Sequence, residues 1–142
     1  FHSYAHTHLD ALGHHFLDGK LYNGFARDEW VTMKDGAKKG AITQTRDGIV
    51  TRGVLVDIPR LKGVEYLEPG TPIYAEDIEA WEKMANVRIM PGDAVFIRTG
   101  RWTRRAKTGP WEIGKQSAGL DASVLPWIKA TSRSWEASPR LA

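Results

Sequence analysis

Cysteine is absent from the 142 residues, which excludes a disulfide scaffold, a thiolate nucleophile and any cysteine-ligated zinc or iron–sulfur site. Long apolar runs are absent too. None approaches the ~20 residues that a membrane-spanning helix requires, and the first residues lack the charged-then-apolar order of a signal peptide. No membrane partner is therefore expected, and the expected location is cytoplasmic. A strong charge of one sign is also missing, because 20 Lys and Arg stand against 17 Asp and Glu. That excess does not mark a nucleic-acid binder. There is no internal repeat and no low-complexity tract. What remains has the make-up of an ordinary globular chain, 42% apolar and 26% charged, long enough for one domain or part of a larger one. Such a chain buries about two thirds of its unfolded surface, so it can build a core without covalent staples.

Period and punctuation give a coarse map. Residues Gly13 to Arg27 read as loop, from the spacing of Gly13, Gly19, Asn23 and Gly24. Residues Asp28 to Thr45 hold no clean period and leave room for one short helical piece. Val54 to Ile58 is a β-branched run ended by Pro59 and predicts a buried strand, with Asp57 as a turn or cap residue. Ala75 to Ala85 predicts a helix. Glu76 and Asp77 sit in its first turn, Glu79 can pair with Lys83, and Ile78, Trp81 and Ala85 share its apolar face. The turn Pro91-Gly92-Asp93 leads into a second apolar run, Ala94 to Ile97. Strand, helix, strand is the order of a crossover unit of mixed α/β type. A short helix is predicted around Ser123 to Lys129, with Pro126 in its first turn. The basic residues Arg98, Arg101, Arg104, Arg105 and Lys107 cluster around Trp102. They read as a solvated loop or one that holds an anionic substrate, with nucleic acid a minor alternative.

Chemistry concentrates at the start. All five histidines, His2, His6, His8, His14 and His15, fall in the first fifteen residues with Asp10 among them. Imidazole nitrogen with carboxylate is the ligand set of zinc, manganese or iron. In an extended segment Tyr4, His6, His8 and Asp10 lie on one face, so His6, His8 and Asp10 could converge on one ion. A surface histidine cluster or a tag remnant is the plainer alternative, but a tag has no interspersed Thr7, Leu9 and Asp10. His14, four residues beyond Asp10, has the pKa range to take and return a proton. Phe1, Phe16, Tyr22, Trp30 and Trp102 could line a pocket for a flat substrate, though each is more often a core residue, and Trp81 reads as core.

The segment Tyr4 to His14 resembles the HxGTHxDxPxH signature of the cyclase family, metal-dependent hydrolases that include bacterial kynurenine formamidase and isatin hydrolase. Thr7, His8, Asp10 and His14 carry the match at the family's spacing. The resemblance continues through residues 16–24, 52–58 and 91–100 and through Ala118-Gly119-Leu120 and Leu125-Pro126-Trp127, covering the chain to about Lys129. It implies a cyclase-like α/β fold of the swivelling β/β/α type, a mixed sheet with flanking helices. It also implies a homo-oligomer, a divalent metal ion (zinc or manganese), and hydrolysis of a small-molecule amide, an arylformamide or a cyclic amide. His8 and Asp10 become metal ligands by that resemblance, and His14 the catalytic histidine. Three positions depart from the signature: Tyr4 stands for the first ligand histidine, His6 for glycine and Leu12 for proline. His6, on the same parity as Tyr4, is expected to supply the missing nitrogen, since neutral tyrosine is a poor zinc ligand.

Two other readings compete. A His-Thr-His pair also opens the metal site of amidohydrolase barrels, whose (β/α)₈ fold takes ~250 residues. A non-catalytic metal-binding domain is the third. The expected division is a partial cyclase-like domain over residues 1–129 and an irregular tail over residues 130–142, which reads like an out-of-frame translation. The chain, opening on Phe1, is accordingly expected to be a fragment whose metal site is incomplete, because no histidine follows His15.

Overall fold

The computed structural model describes residues 10–133. These form two compact units, one running through Val50 and the other starting at Thr51. The fold is mixed α/β, built from small sheets and several helices. Among the described residues no helix is long and apolar enough to cross a membrane.

The smaller unit is mostly turns. Single 3₁₀ turns form at Leu12–His14 and Tyr22–Gly24, isolated bridges pair Lys20 with Leu17 and with Ala26, and a one-turn helix α1 covers Arg27–Trp30. That helix is the short helical piece expected near Asp28. Strands β1 (Val31–Thr32) and β2 (Gly36–Ala37) pair antiparallel in a hairpin. Leu21 is its one buried large apolar residue among those described. Phe25 and Trp30 meet edge to face at 5.7 Å, with the Lys39 ammonium about 5 Å from both rings.

The larger unit carries the predicted crossover. Strand β3 covers Gly53–Asp57, helix α2 follows at Ile58–Leu61, β4 is Pro72–Ile73, α3 is Ala75–Ala85, and β5 is Ala94–Arg98. Strands β3 and β5 run parallel, with Val54 opposite Val95 and Val56 opposite Ile97. Helix α4 (Arg101–Thr108), strand β6 (Gly119–Leu120) and helix α5 (Leu125–Arg133) complete the unit, and β6 pairs parallel with β4. The core is one cluster: Val54, Val56 and Ile58 from the first strand and its exit, Ile78 and Trp81 from α3, then Leu67, Ile73, Ile89 and Val124. Ala85 packs against it from the last turn of α3. The apolar face predicted for that helix is the buried one.

Four local readings are corrected. Ile58 leaves the strand and begins α2, because the Asp57 side chain caps that helix by accepting the Arg60 N–H at 3.1 Å. The Glu79–Lys83 pair is not among the ion pairs of the described residues. Instead Lys62 reaches Asp77 in the first turn of α3 at 2.6 Å. The basic segment around Trp102 is the helix α4, not a loop. Helix α5 continues past Lys129 to Arg133, so residues 130–133 are helical, and those beyond lie outside the described residues.

Candidate functional site

Of the expected site residues, Asp10 and His14 are described, while Tyr4, His6 and His8 lie outside the described residues. The two that are described come together. The 3₁₀ turn Leu12–His14, closed by the His15 N–H on the Leu12 carbonyl at 3.1 Å, folds the chain back on itself. It places His14 Nε2 at 3.5 Å from Asp10 Oδ2, while Asp10 Oδ1 accepts the Ala11 N–H at 2.7 Å. Both side chains are more than half exposed, so water reaches them. The His14 and His15 rings lie 4.3 Å apart.

Gly13 holds this turn. It is buried, and its N–H donates to the Gly40 carbonyl at 2.9 Å. A Cβ there would sit 3.1 Å from both the Ala37 Cβ and the Gly40 oxygen. A side chain there would need those neighbours to give by a few tenths of an ångström. Thus the bend between Asp10 and His14 is braced by chain from the β1–β2 hairpin and its exit.

Among the described residues no three His, Cys, Asp or Glu side chains are grouped to hold a metal ion. The described part of the motif therefore offers one carboxylate and one imidazole, which suit zinc or manganese in kind. Phe16 and Tyr22 are exposed, Trp30 belongs to the Phe25–Lys39 cluster, and Phe1 lies outside the described residues. Trp102 is exposed on α4, with Arg101 at 5.0 Å and Arg105 at 6.0 Å from its ring.

The basic cluster is largely neutralised. Arg98 Nη1 donates to Asp57 at 2.8 Å, Arg104 Nε to Glu68 at 2.8 Å, and Lys107 Nζ to Glu65. Hydrogen bonding to Glu65 raises the Lys107 ammonium above its ordinary range. Three of the five basic residues expected to bind an anion are thus engaged with the protein's own carboxylates.

Two features escape a reading of the sequence. One is a clamp at the entry to the sheet. Arg52 donates from Nε and Nη2 to the two oxygens of Asp93 at 2.8 and 2.5 Å and from Nη2 to the Arg88 carbonyl at 2.8 Å. The Met90 N–H adds a third hydrogen bond to Asp93 at 2.7 Å. Hydrogen bonds from Arg52 first, then from Met90, hold the Asp93 carboxyl below the usual carboxylate range. The second is an open apolar groove of about 270 Å³, walled by Ile78, Ile89, Val95, Ile97, Trp127 and Ile128 among others. The Pro91-Gly92-Asp93 turn was a signal for the first. No local pattern announces the second, which four separate segments build.

The sequence pattern of the family described as "Putative cyclase" matches residues 2–134. A crystal structure described as that of a novel cyclase is similar at 29% identity with a TM-score of 0.69, over 87% of this chain and 42% of that one. No curated protein matches the chain. The chain belongs to the cyclase family, and its fold is that of a cyclase-family α/β protein. It spans about two fifths of the length of the related crystal structure. The closed parallel barrel of an amidohydrolase is not built: among the described residues each parallel sheet has two strands.

Proposed function

We propose that the chain carries part of the site of a metal-dependent hydrolase that cleaves the carbon–nitrogen bond of a small amide, an arylformamide or a cyclic amide. The observation that carries this reading is the Asp10–His14 pair, set at 3.5 Å by the Leu12–His14 turn inside a Thr-His-x-Asp-x₃-His motif. His8 and Asp10 would hold a divalent ion, zinc or manganese, with His6 supplying a nitrogen where Tyr4 replaces the family's first histidine. When bound, such an ion supplies a water of lowered pKa and polarises a carbonyl. Asp10 fits that role in kind, since Oδ2 faces His14 and solvent while Oδ1 is held by the Ala11 N–H.

His14 moves the proton. Its imidazole stands at the open side of the turn, more than half exposed, where it can take a proton from water and return it to a leaving nitrogen. Asp10 Oδ2, 3.5 Å from Nε2, stands close enough to orient that ring.

Metal content of the purified chain tests the reading without reference to activity. The unaltered chain should retain zinc or manganese, and His8→Ala and Asp10→Ala should each lose most of it. Equal metal in all three ends the proposal. His6→Ala should weaken retention at least as much as Tyr4→Phe, and the reverse order would assign the first ligand to Tyr4. A screen with N-formyl aryl amines and cyclic amides then separates a hydrolase from a metal-binding domain, which would keep its ion and turn over nothing.

A further inference from the structure

Helix α4 holds Arg101, Arg104, Arg105 and Lys107 and no acidic residue. Two of these cations are matched in a regular way. Arg104 and Lys107, three residues apart, hold Glu68 and Glu65, which are also three residues apart and run in the opposite direction. One edge of α4 thus carries an acidic segment of the same chain, bound through two carboxylates about one helical turn apart.

The other edge is built from the same parts. Helical spacing puts Arg101 and Arg105 side by side, one turn apart, with Trp102 on the flank away from Arg104 and Lys107. The Arg101 and Arg105 guanidinium carbons lie over the Trp102 ring at 5.0 and 6.0 Å. Arg101 is also 6.0 Å and Arg104 4.8 Å from the Trp111 ring, whose indole N–H donates to the Gln116 carbonyl at 2.9 Å. Cations and indoles therefore alternate in the row Arg105, Trp102, Arg101, Trp111, Arg104, and Glu68 ties its last member down.

Such a row orders guanidiniums before a partner arrives. Contact with an indole face steadies the long side chain and leaves its in-plane N–H donors able to bind a carboxylate. Less side-chain entropy is then lost on binding. Two cations at a spacing of four repel one another, and a carboxylate bound to each relieves that repulsion. Among the described residues no carboxylate lies within ion-pairing distance of Arg105. A guanidinium has five N–H donors, so Arg101 can add a carboxylate to the contacts it has. Trp102, 54% exposed, offers an apolar surface beside both.

We propose that this second edge of α4 docks an acidic segment of a partner protein, through two carboxylates one helical turn apart and an apolar side chain laid on Trp102. The rest of this chain does not meet that description: residues 1–9 hold no Asp or Glu, and residues 134–142 hold only Glu136. Nucleic acid is the poorer match. Two guanidiniums on a chain of net charge +3 fall short of the about 6–10 phosphate contacts a nucleic-acid binder makes. Cations also lie over the Trp102 ring on which a base would stack. The inference is independent of the metal chemistry.

The probe is a dye-labelled, blocked helical peptide with two glutamates four residues apart and a leucine between them. Its anisotropy against the full 142-residue chain, in about 20 mM salt where screening is weak, should show saturable binding with a Kd below about 1 mM. The same peptide with glutamines should bind at least about 10-fold more weakly. Arg101→Gln and Arg105→Gln should each weaken binding about 10-fold. Arg105→Lys should weaken it less, since it keeps the charge and loses the fork. Lys34→Gln, which removes an exposed cation of the smaller unit, should leave it unchanged. On the unaltered chain, the Trp102 indole N–H resonance should shift during the titration while that of the buried Trp81 stays in place.

No saturable binding up to about 1 mM overturns the proposal. So does equal binding of the glutamine peptide, a Trp102 resonance that stays fixed while the peptide binds, or unchanged affinity in folded Arg101→Gln and Arg105→Gln. A short oligothymidylate that binds more tightly than the peptide would assign the surface to nucleic acid and overturn it as well.

Discussion

Gly100 stands where β5 gives way to α4, and replacing it with alanine perturbs two separable things. Its φ is +76°, a left-handed conformation that costs an alanine about 1 kcal/mol or somewhat more. The added Cβ would also lie 2.6 Å from the Glu65 carbonyl oxygen and from the Tyr66 Cα, and 2.8 Å from the Tyr66 Cβ. Those atoms are mostly backbone and cannot swing aside. They are tied to the same corner by the Leu67 N–H on the Thr99 carbonyl at 2.9 Å. Forcing them apart is an overpacking of about 1–3 kcal/mol, so Gly100→Ala should lose about 3 kcal/mol in all.

Gly92 provides the control. Its φ of +88° is equally left-handed, but nothing lies within 4 Å of its Cβ position. Gly92→Ala should therefore lose only the conformational part, about 1 kcal/mol. Urea unfolding followed by tryptophan fluorescence gives both values. With an m-value of about 1–3 kcal/mol/M, Gly100→Ala should lower the midpoint by about 1–3 M and Gly92→Ala by about a third as much. Equal losses for the two glycines would refute the close approach of residues 65–66.

Trp81, 7% exposed, and Trp102, 54% exposed, should respond very differently to alanine. Trp81→Ala should lose about 3–5 kcal/mol, and Trp102→Ala about 1 kcal/mol or less, both read from the same unfolding curves. The Arg52–Asp93 clamp predicts a pH dependence of known sign. Because the folded-state carboxyl of Asp93 is held below its ordinary value, its contribution is complete above about pH 4. It is lost as pH falls through the depressed folded value. Unfolding midpoints between pH 2 and 7 should accordingly decline at the acid end, and less steeply in Asp93→Asn; an unchanged acid limb in that variant would remove Asp93 from the explanation.

The central crossover was legible because its signals are local. Val54, Val56 and the Ala94–Ile97 run declare buried strands by residue type, and the 78, 81, 85 spacing declares the buried side of α3. The basic segment was misjudged for the opposite reason. Arg104, Lys107 and Arg98 find carboxylates 36, 42 and 41 residues away, and Arg101 and Arg105 flank Trp102. A helix with no apolar face of its own can be held by such distant partners, which leave no mark in its own sequence. The Lys62–Asp77 pair likewise replaced the expected Glu79–Lys83 contact through a neighbour in space.

The candidate site divides along the same line. Asp10 and His14 were legible as chemistry, since carboxylate and imidazole types at a spacing of four say what they can do. Their brace was not, because Gly13 owes its burial to Ala37, Lys39 and Gly40. The family-like segment ending in Arg98-Thr99-Gly100 shows why this distinction matters for function. Arg98 pairs with Asp57, the Thr99 carbonyl accepts the Leu67 N–H, and Gly100 fits against residues 65 and 66. Each of the three therefore has a structural employment that accounts for its residue type. Asp57 caps α2 as well as holding Arg98, and Arg52 and Asp93 satisfy one another. An exposed carboxylate facing an exposed imidazole adds little stability, so replacing Asp10 or His14 should leave the fold intact and report on the roles proposed for them.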